Sequence, residues 1–265
     1  MKTLVTHINP HLDDILAIWL FRKFQPELKE ANLEFISASR DAGKDSDKVF
    51  VGTGGGPFDE HKEGLKTCAG SLVFEYLKAQ GFIAKDEITQ KALEKMVNWN
   101  LLIDTGQAKL SEFDEFSIQS FIRPKGNSSE ASKKAVELGE EILDRILEVL
   151  KRKQQSELDW EKRVEFTSKF GQSVAVISET VNREFCLERE GELFLMYDPK
   201  YPSVQFFAPN QDIKEIYEKV KAKDSEASWF LHQSHHMVIC GSSSAPDSKP
   251  TKLSFEELIE IAKTV

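Results

Sequence analysis

The segment that most constrains this chain lies at its start. A short β-branched run, Leu4-Val5-Thr6, passes through His7-Ile-Asn-Pro-His11-Leu-Asp13-Asp14 directly into an apolar, helix-like stretch from Ile15 to Phe24. A strand that gives way to a helix through alternating imidazoles and carboxylates belongs to an α/β sheet, which presents its chemistry beyond the carboxyl ends of its strands. Imidazole with carboxylate suits a hard or borderline divalent cation. An aspartate that merely caps the helix is the ordinary alternative, and Asp13 or Asp14 would serve it.

Strand and helix signals alternate through the first 125 residues, with strands expected at Thr3–Thr6, Leu33–Ala38 and Val49–Gly52. Helices are expected over Asp14–Phe24, Ser71–Gln80, Thr89–Ile103 and Glu112–Phe121. Such alternation predicts an α/β layer on a mostly parallel sheet, covering residues 1–125. Asn127-Ser-Ser-Glu130 has the form of a capping box and opens a long helix to about Lys153. Its apolar positions Val136, Leu138, Ile142, Leu143, Ile146, Val149 and Leu150 recur at helical spacing, so residues 126–168 read as a helical connector. Residues 169–265 read as a smaller α+β domain. Its strands are expected at Ser173–Ser178, Phe185–Glu188, Leu193–Tyr197, Val204–Ala208, Trp229–Leu231 and Met237–Cys240. A helix is expected over Asp212–Lys221, and a second capping box at Ser254–Glu257 opens the last one.

Composition narrows the function classes. The net charge of −9 argues against a broad nucleic-acid surface, because Lys and Arg dominate phosphate binding. A small phosphorylated substrate held through a cation remains compatible with it. The longest apolar run, Ile15 to Phe21, is far short of the roughly 20 residues that span a bilayer, so no membrane partner is expected. No signal peptide is visible, and the three cysteines share no close spacing. They read as reduced, buried thiols of a cytoplasmic protein. The oligomeric state stays open, a homodimer included.

Two further segments carry chemistry. The second apolar strand ends in Val51-Gly-Thr-Gly-Gly-Gly-Pro-Phe-Asp59-Glu60-His61, where glycines allow a close backbone approach before an acidic–acidic–imidazole triplet. Helix Thr89–Ile103 closes on Asp104-Thr-Gly106, which can turn a carboxylate towards a site. His232, His235 and His236 fall within five residues between strand signals. They are candidates for substrate-phosphate contact or simply hairpin histidines. Arg40 beside Asp41 is a further candidate substrate contact or a loop ion pair.

These motifs, taken in order, resemble the DHH phosphoesterase superfamily. His7-x-Asn9-Pro10-x-x-Asp13 is similar to its first motif, Asp59-Glu60-His61 sits where it carries Asp-His-His, and Ile103-Asp104-Thr-Gly resembles its later metal-binding aspartate motif. His11 with Asp13-Asp14, Cys68-Ala-Gly-Ser71 heading a helix, and Trp229-Phe-Leu-His232-Gln-Ser234 look closest to one offshoot, the melanocyte-proliferating-gene type of metal-dependent hydrolase and exonuclease. The resemblance implies a two-metal centre binding Mn²⁺, with Mg²⁺ or Zn²⁺ as alternatives. Its metal ligands would be His7, His11, Asp13, Asp59, His61 and Asp104. Asp14, Glu60 and His61 would be catalytic, and His232, His235, His236 and Arg40 would bind substrate.

The implied activity is hydrolysis of nucleotides, short oligonucleotides or other small phosphoesters, with the C-terminal domain choosing the substrate. Two departures fall on the second metal: Gly52 stands where the family carries a bridging aspartate, and Glu60 replaces a histidine. A single-metal site, or a non-catalytic binding protein on a degenerate DHH scaffold, are therefore alternatives. Hydrolysis of amide bonds, as in deacetylases, is a third.

Overall fold

The computed structural model describes residues 2–39, 45–62, 64, 66–83, 85–109 and 114–265. Arg40 lies outside the described residues. The chain divides into two units, Met1–Lys151 and Arg152–Val265. The architecture is mixed α/β: a parallel three-stranded sheet with helices, a long helix, and a second unit built on its own sheet.

In the first unit, β1 (Thr3–His7), β2 (Asn32–Ile36) and β3 (Lys48–Phe50) form a parallel sheet in the order β2-β1-β3. The central strand pairs on both sides, Leu4 with Leu33 and with Val49. The chain leaves β1 to one neighbour and later returns to the other, so the carboxyl end of β1 lies at the switch point of the order. Helix α1 (Leu12–Phe24) starts there, two residues before the expected start at Asp14. Ile15 to Phe21 are all buried, which explains the absence of a polar face. Side chains of this kind contribute roughly 1.5–3 kcal/mol each on burial.

Helices α2 (Ala69–Ala79) and α3 (Glu87–Asp104) complete the same core. The expected helix over Glu112–Phe121 is not one helix. Its first two residues lie outside the described set; Asp114–Phe116 is a 3₁₀ turn, and α4 (Ile118–Ile122) begins after Ser117. Helix α5 (Ser129–Trp160) is longer than expected, 32 residues. Val136, Leu143 and Leu147 enter the first core, but Leu138 and Val149 are 43% and 65% exposed.

The second unit has a six-stranded sheet, β4-β5-β6-β7-β9-β8. Its strands are β4 (Val164–Ser168), β5 (Gly171–Ile177), β6 (Leu193–Asp198), β7 (Ser203–Phe207), β8 (Trp229–Leu231) and β9 (Met237–Cys240). Strand β4 pairs antiparallel with β5, so the end of the expected connector, Val164–Ser168, is sheet.

Phe185–Glu188, expected as a strand, is not one: Phe185 and Cys186 close a helical turn, α6 (Arg183–Cys186), and Leu187 and Glu188 follow it in a turn. The Asn182 side chain accepts from the Phe185 N–H at 2.9 Å and caps it. The turn lies on the crossover between the parallel pair β5 and β6, a connection that a two-residue hairpin cannot make. Helices α7 (Lys214–Lys223) and α8 (Phe255–Lys263) cover the sheet, the latter opened by the expected Ser254–Glu257 capping box. Cys68, Cys186 and Cys240 are free and buried, and burial pushes their thiols up to about 11, 12 and 11 respectively. No helix among the described residues is long and apolar enough to cross a membrane.

Candidate metal centre

The end of β1 sets the geometry. His7 is the last strand residue, Asn9 takes a left-handed φ of 60°, and His11 precedes α1. Asn9 is held on both sides: its backbone N–H donates to Ser132 Oγ at 3.1 Å, and its Nδ2 donates to Asn127 Oδ1 at 2.8 Å. That reversal brings one nitrogen each of His7 and His11 and one Asp14 oxygen within 4.8 Å of one another. The His7 and His11 ring centroids are 5.2 Å apart.

Asp14 is 1% exposed and is the hub. Its Oδ2 accepts from the His11 backbone N–H at 2.8 Å and faces His7 Nε2 at 3.0 Å; its Oδ1 accepts from Thr6 Oγ1 at 3.2 Å. His7 Nδ1 lies 2.8 Å from the Ile8 carbonyl, to which it can only donate, so Nε2 is the nitrogen turned inward. The hydrogen bond to Asp14, against the opposing effect of burial, lifts His7 to about 9.

Asp13, expected beside His7 and His11, is 3% exposed. Burial first, then the charges of Asp14, Asp104 and Glu60, push its carboxyl well above the ordinary carboxylate range. Asp104 is the last residue of α3, and it is raised by desolvation and by Asp14 while His11 and His61 pull the other way. These mutual effects place Asp13, Asp14, Glu60 and Asp104 in one electrostatic cluster with His11 and His61.

The triplet after the glycines divides its labour. Asp59 Oδ2 accepts from Gly55 N–H at 2.6 Å, and Oδ1 accepts from the His61 backbone N–H and faces His61 Nδ1, both at 3.0 Å. Desolvation opposes its charge, but these hydrogen bonds prevail and hold its carboxyl below the usual value. Asp59 thus fixes the loop. The Glu60 side chain is 10% exposed, its Oε1 is 3.3 Å from His61 Nδ1, and its Oε2 is buried with no hydrogen-bond partner. Burial is the main cause that raises Glu60 to about 6. A buried carboxylate oxygen without a partner is costly, so it fits a cation.

Sequence reasoning did not single out Thr6 or Asn100 as site residues. Asn100 is 1% exposed on α3, its Oδ1 lies 3.4 Å from Cys68 Sγ, and its Nδ2 is buried without a partner. The legible signal was an amide inside an otherwise apolar helix face.

In the second unit, the β8–β9 hairpin carries His232, His235 and His236. His232 Nδ1 accepts from the Ser234 N–H at 3.2 Å, which leaves Nε2 as its proton carrier. His235 Nδ1 lies 3.0 Å from Asp212 Oδ2, and His236 Nδ1 lies 2.8 Å from the Gln211 carbonyl. His235 takes a left-handed φ of 58° at the turn.

No family model matches this chain, and no curated protein matches it. Among solved structures it is similar to an uncharacterized protein from Helicobacter pylori G27, at 11% identity over all of both chains, with a TM-score of 0.28. It is also similar to the DHH domain of a member of the s1p family of ribosomal proteins, at 12% identity. That alignment covers 99% of this chain and 86% of the other, with a TM-score of 0.33. Likeness at this level carries no weight for activity, which must be read from the residues themselves.

Proposed function

We propose that the chain is a divalent-cation-dependent phosphoester hydrolase of the DHH type, related to the melanocyte-proliferating-gene offshoot. Its substrates would be nucleotides, short oligonucleotides or other small phosphoesters. The observation that carries this reading is the crowding of Asp13, Asp14, Glu60 and Asp104 beside the inward-turned His7 and the exposed His11 and His61, with Glu60 Oε2 buried and unpartnered. Like charges so placed oppose each other, and a cation reverses the sign of that interaction. His7 Nε2, a His11 ring nitrogen and Asp14 would hold it, with Asp13 and Asp104 adding negative charge. Oxygen with imidazole suits Mn²⁺, and Mg²⁺ or Zn²⁺ are compatible. A bound divalent cation lowers the pKa of water and neutralises charge on a phosphoryl oxygen.

The protein's own groups do the rest. Ile8 and Thr6 fix the orientations of His7 and Asp14. Glu60 would accept the proton of the attacking water, and His61 beside it would donate to a phosphate oxygen. His232, His235 and His236 are proposed as substrate-phosphate contacts, with His232 Nε2–H as a donor. Support comes from the motif order and from the cluster.

The test is a panel of bis-p-nitrophenyl phosphate, dinucleotides and mononucleotides with Mn²⁺. Wild type should turn over at least one class, Asp14→Asn none, and His232→Ala should show a raised KM with metal content unchanged. The two departures at Gly52 and Glu60 favour the rival reading, a metal- or nucleotide-binding protein without turnover. Stoichiometric Mn²⁺ in wild type with silence across the panel would establish that reading instead.

A further inference from the structure

A cavity of about 470 Å³ lies at the start of α5. Its apolar side includes Phe121 and Leu138, which are 61% and 43% exposed. Its polar side carries Arg123, Lys125, Lys134 and Glu130. Glu130 and Lys134 satisfy each other at 2.7 Å. Among the described residues nothing pairs with the Arg123 guanidinium or the Lys125 ammonium.

Two cations without an acidic partner on one wall make it attractive to an anion in a chain of net charge −9. The opening turn of a 32-residue helix adds its positive end to the same wall. A planar guanidinium suits the paired oxygens of a phosphate, and an exposed phenyl ring offers a face for a base to stack on. The α5 start that lines the cavity through Ser128 and Ala131 also holds the metal loop, since Asn127 and Ser132 grip Asn9 between His7 and His11. The cavity and the centre therefore share one rigid support.

We propose that this cavity binds a nucleotide unit, its base against Phe121 and its phosphate against Arg123 and Lys125. In the hydrolase reading, on which the word substrate rests, this would be one nucleotide of the substrate. The preferred substrate is then a dinucleotide or short oligonucleotide, not a simple phosphomonoester.

The binding can be measured without turnover. Asp14→Asn full-length protein in EDTA is titrated with adenosine 5′-monophosphate by calorimetry. Saturable binding is expected, weakened at least tenfold by Arg123→Glu and several-fold by Phe121→Ala, with adenosine and inorganic phosphate each binding more weakly. In the Asp14-intact background, neither substitution should change Mn²⁺ affinity. Absence of saturable binding, or affinity indifferent to both substitutions, overturns the site. A hydrolase whose KM for dinucleotides ignores Arg123→Glu also overturns it while leaving the metal reading intact. Nucleotide binding that depends on Arg123 in a protein with no turnover supports the site and overturns the hydrolase reading.

Discussion

A Cβ atom built on Gly52 would lie 1.8 Å from Oδ1 of Asp14, so the glycine and the carboxylate share one place at the centre. Gly52 also holds a φ of +62°, and its N–H donates to the Phe58 carbonyl at 2.9 Å. A side chain at 52 and the present position of Asp14 exclude each other.

Gly52→Ala should therefore act twice. The left-handed backbone costs more than about 1 kcal/mol with any Cβ, and the methyl group drives the Asp14 carboxylate away from His7. Mn²⁺ affinity, measured by equilibrium dialysis, should fall at least tenfold. Unchanged affinity in a folded Gly52→Ala protein would refute Asp14 as a ligand.

Replacing Asp13 should have opposite effects on two measurements. Its burial among Asp14, Asp104 and Glu60 disfavours its charge, so Asp13→Ala should raise the melting temperature of the protein in EDTA. The same change removes negative charge from the cation site, so bound metal should be largely lost. Stoichiometric, tightly held metal in Asp13→Ala would exclude it from the site.

Helix α1 meets α5 where Gly139 faces Ile15, and a Cβ on Gly139 would come within 2.5 Å of Ile15 Cγ2. Overpacking of this kind costs typically 1–3 kcal/mol. Gly139→Ala should lower stability by about 2 kcal/mol in urea unfolding. Ile15→Ala in the same chain should recover part of the loss, giving a non-additive pair. Additive losses would show that the two helices are free to move apart.

Asp224 ties down the segment before α8, accepting from the Lys252 N–H and from Thr251 Oγ1, both at 2.8 Å. Those bonds, the Lys252 amide first, hold its carboxyl below the usual value. A depressed carboxyl adds stability above its unfolded pKa, near 3.9, and loses it as pH falls through the folded value. Asp224→Asn should cost about 1 kcal/mol at pH 7, and the difference from wild type should shrink below roughly pH 4. A difference independent of pH would mean that shape, not charge, holds the loop.

Much of the fold is visible in local patterns. The run Ile15–Phe21 announces a helix buried all round, and the 3.6-residue repeat of α5 announces a long helix but stops at about Lys153, short of its end at Trp160. Elements that tertiary context decides are harder to see. Phe185 and Cys186 look like strand residues, yet the Asn182 cap and the demands of a parallel crossover make them helical. Leu138 follows the apolar repeat of α5 but remains partly exposed, on the cavity wall. At the centre, the types His7, His11, Asp14 and Glu60 are legible from spacing, but their division of roles is not. Nothing in the order Asp59-Glu60-His61 says that Asp59 spends its oxygens on Gly55 and His61 while Glu60 keeps one unspent.

The three buried thiols give the chain built-in clocks. Cys68 reports on the first unit, Cys186 and Cys240 on the second. With their pKa values at about 11 to 12, almost none is thiolate at neutral pH, so an alkylating reagent reacts only when a unit opens. Labelling rates resolved by mass spectrometry would then time the opening of each unit separately, in one tube, without an added probe.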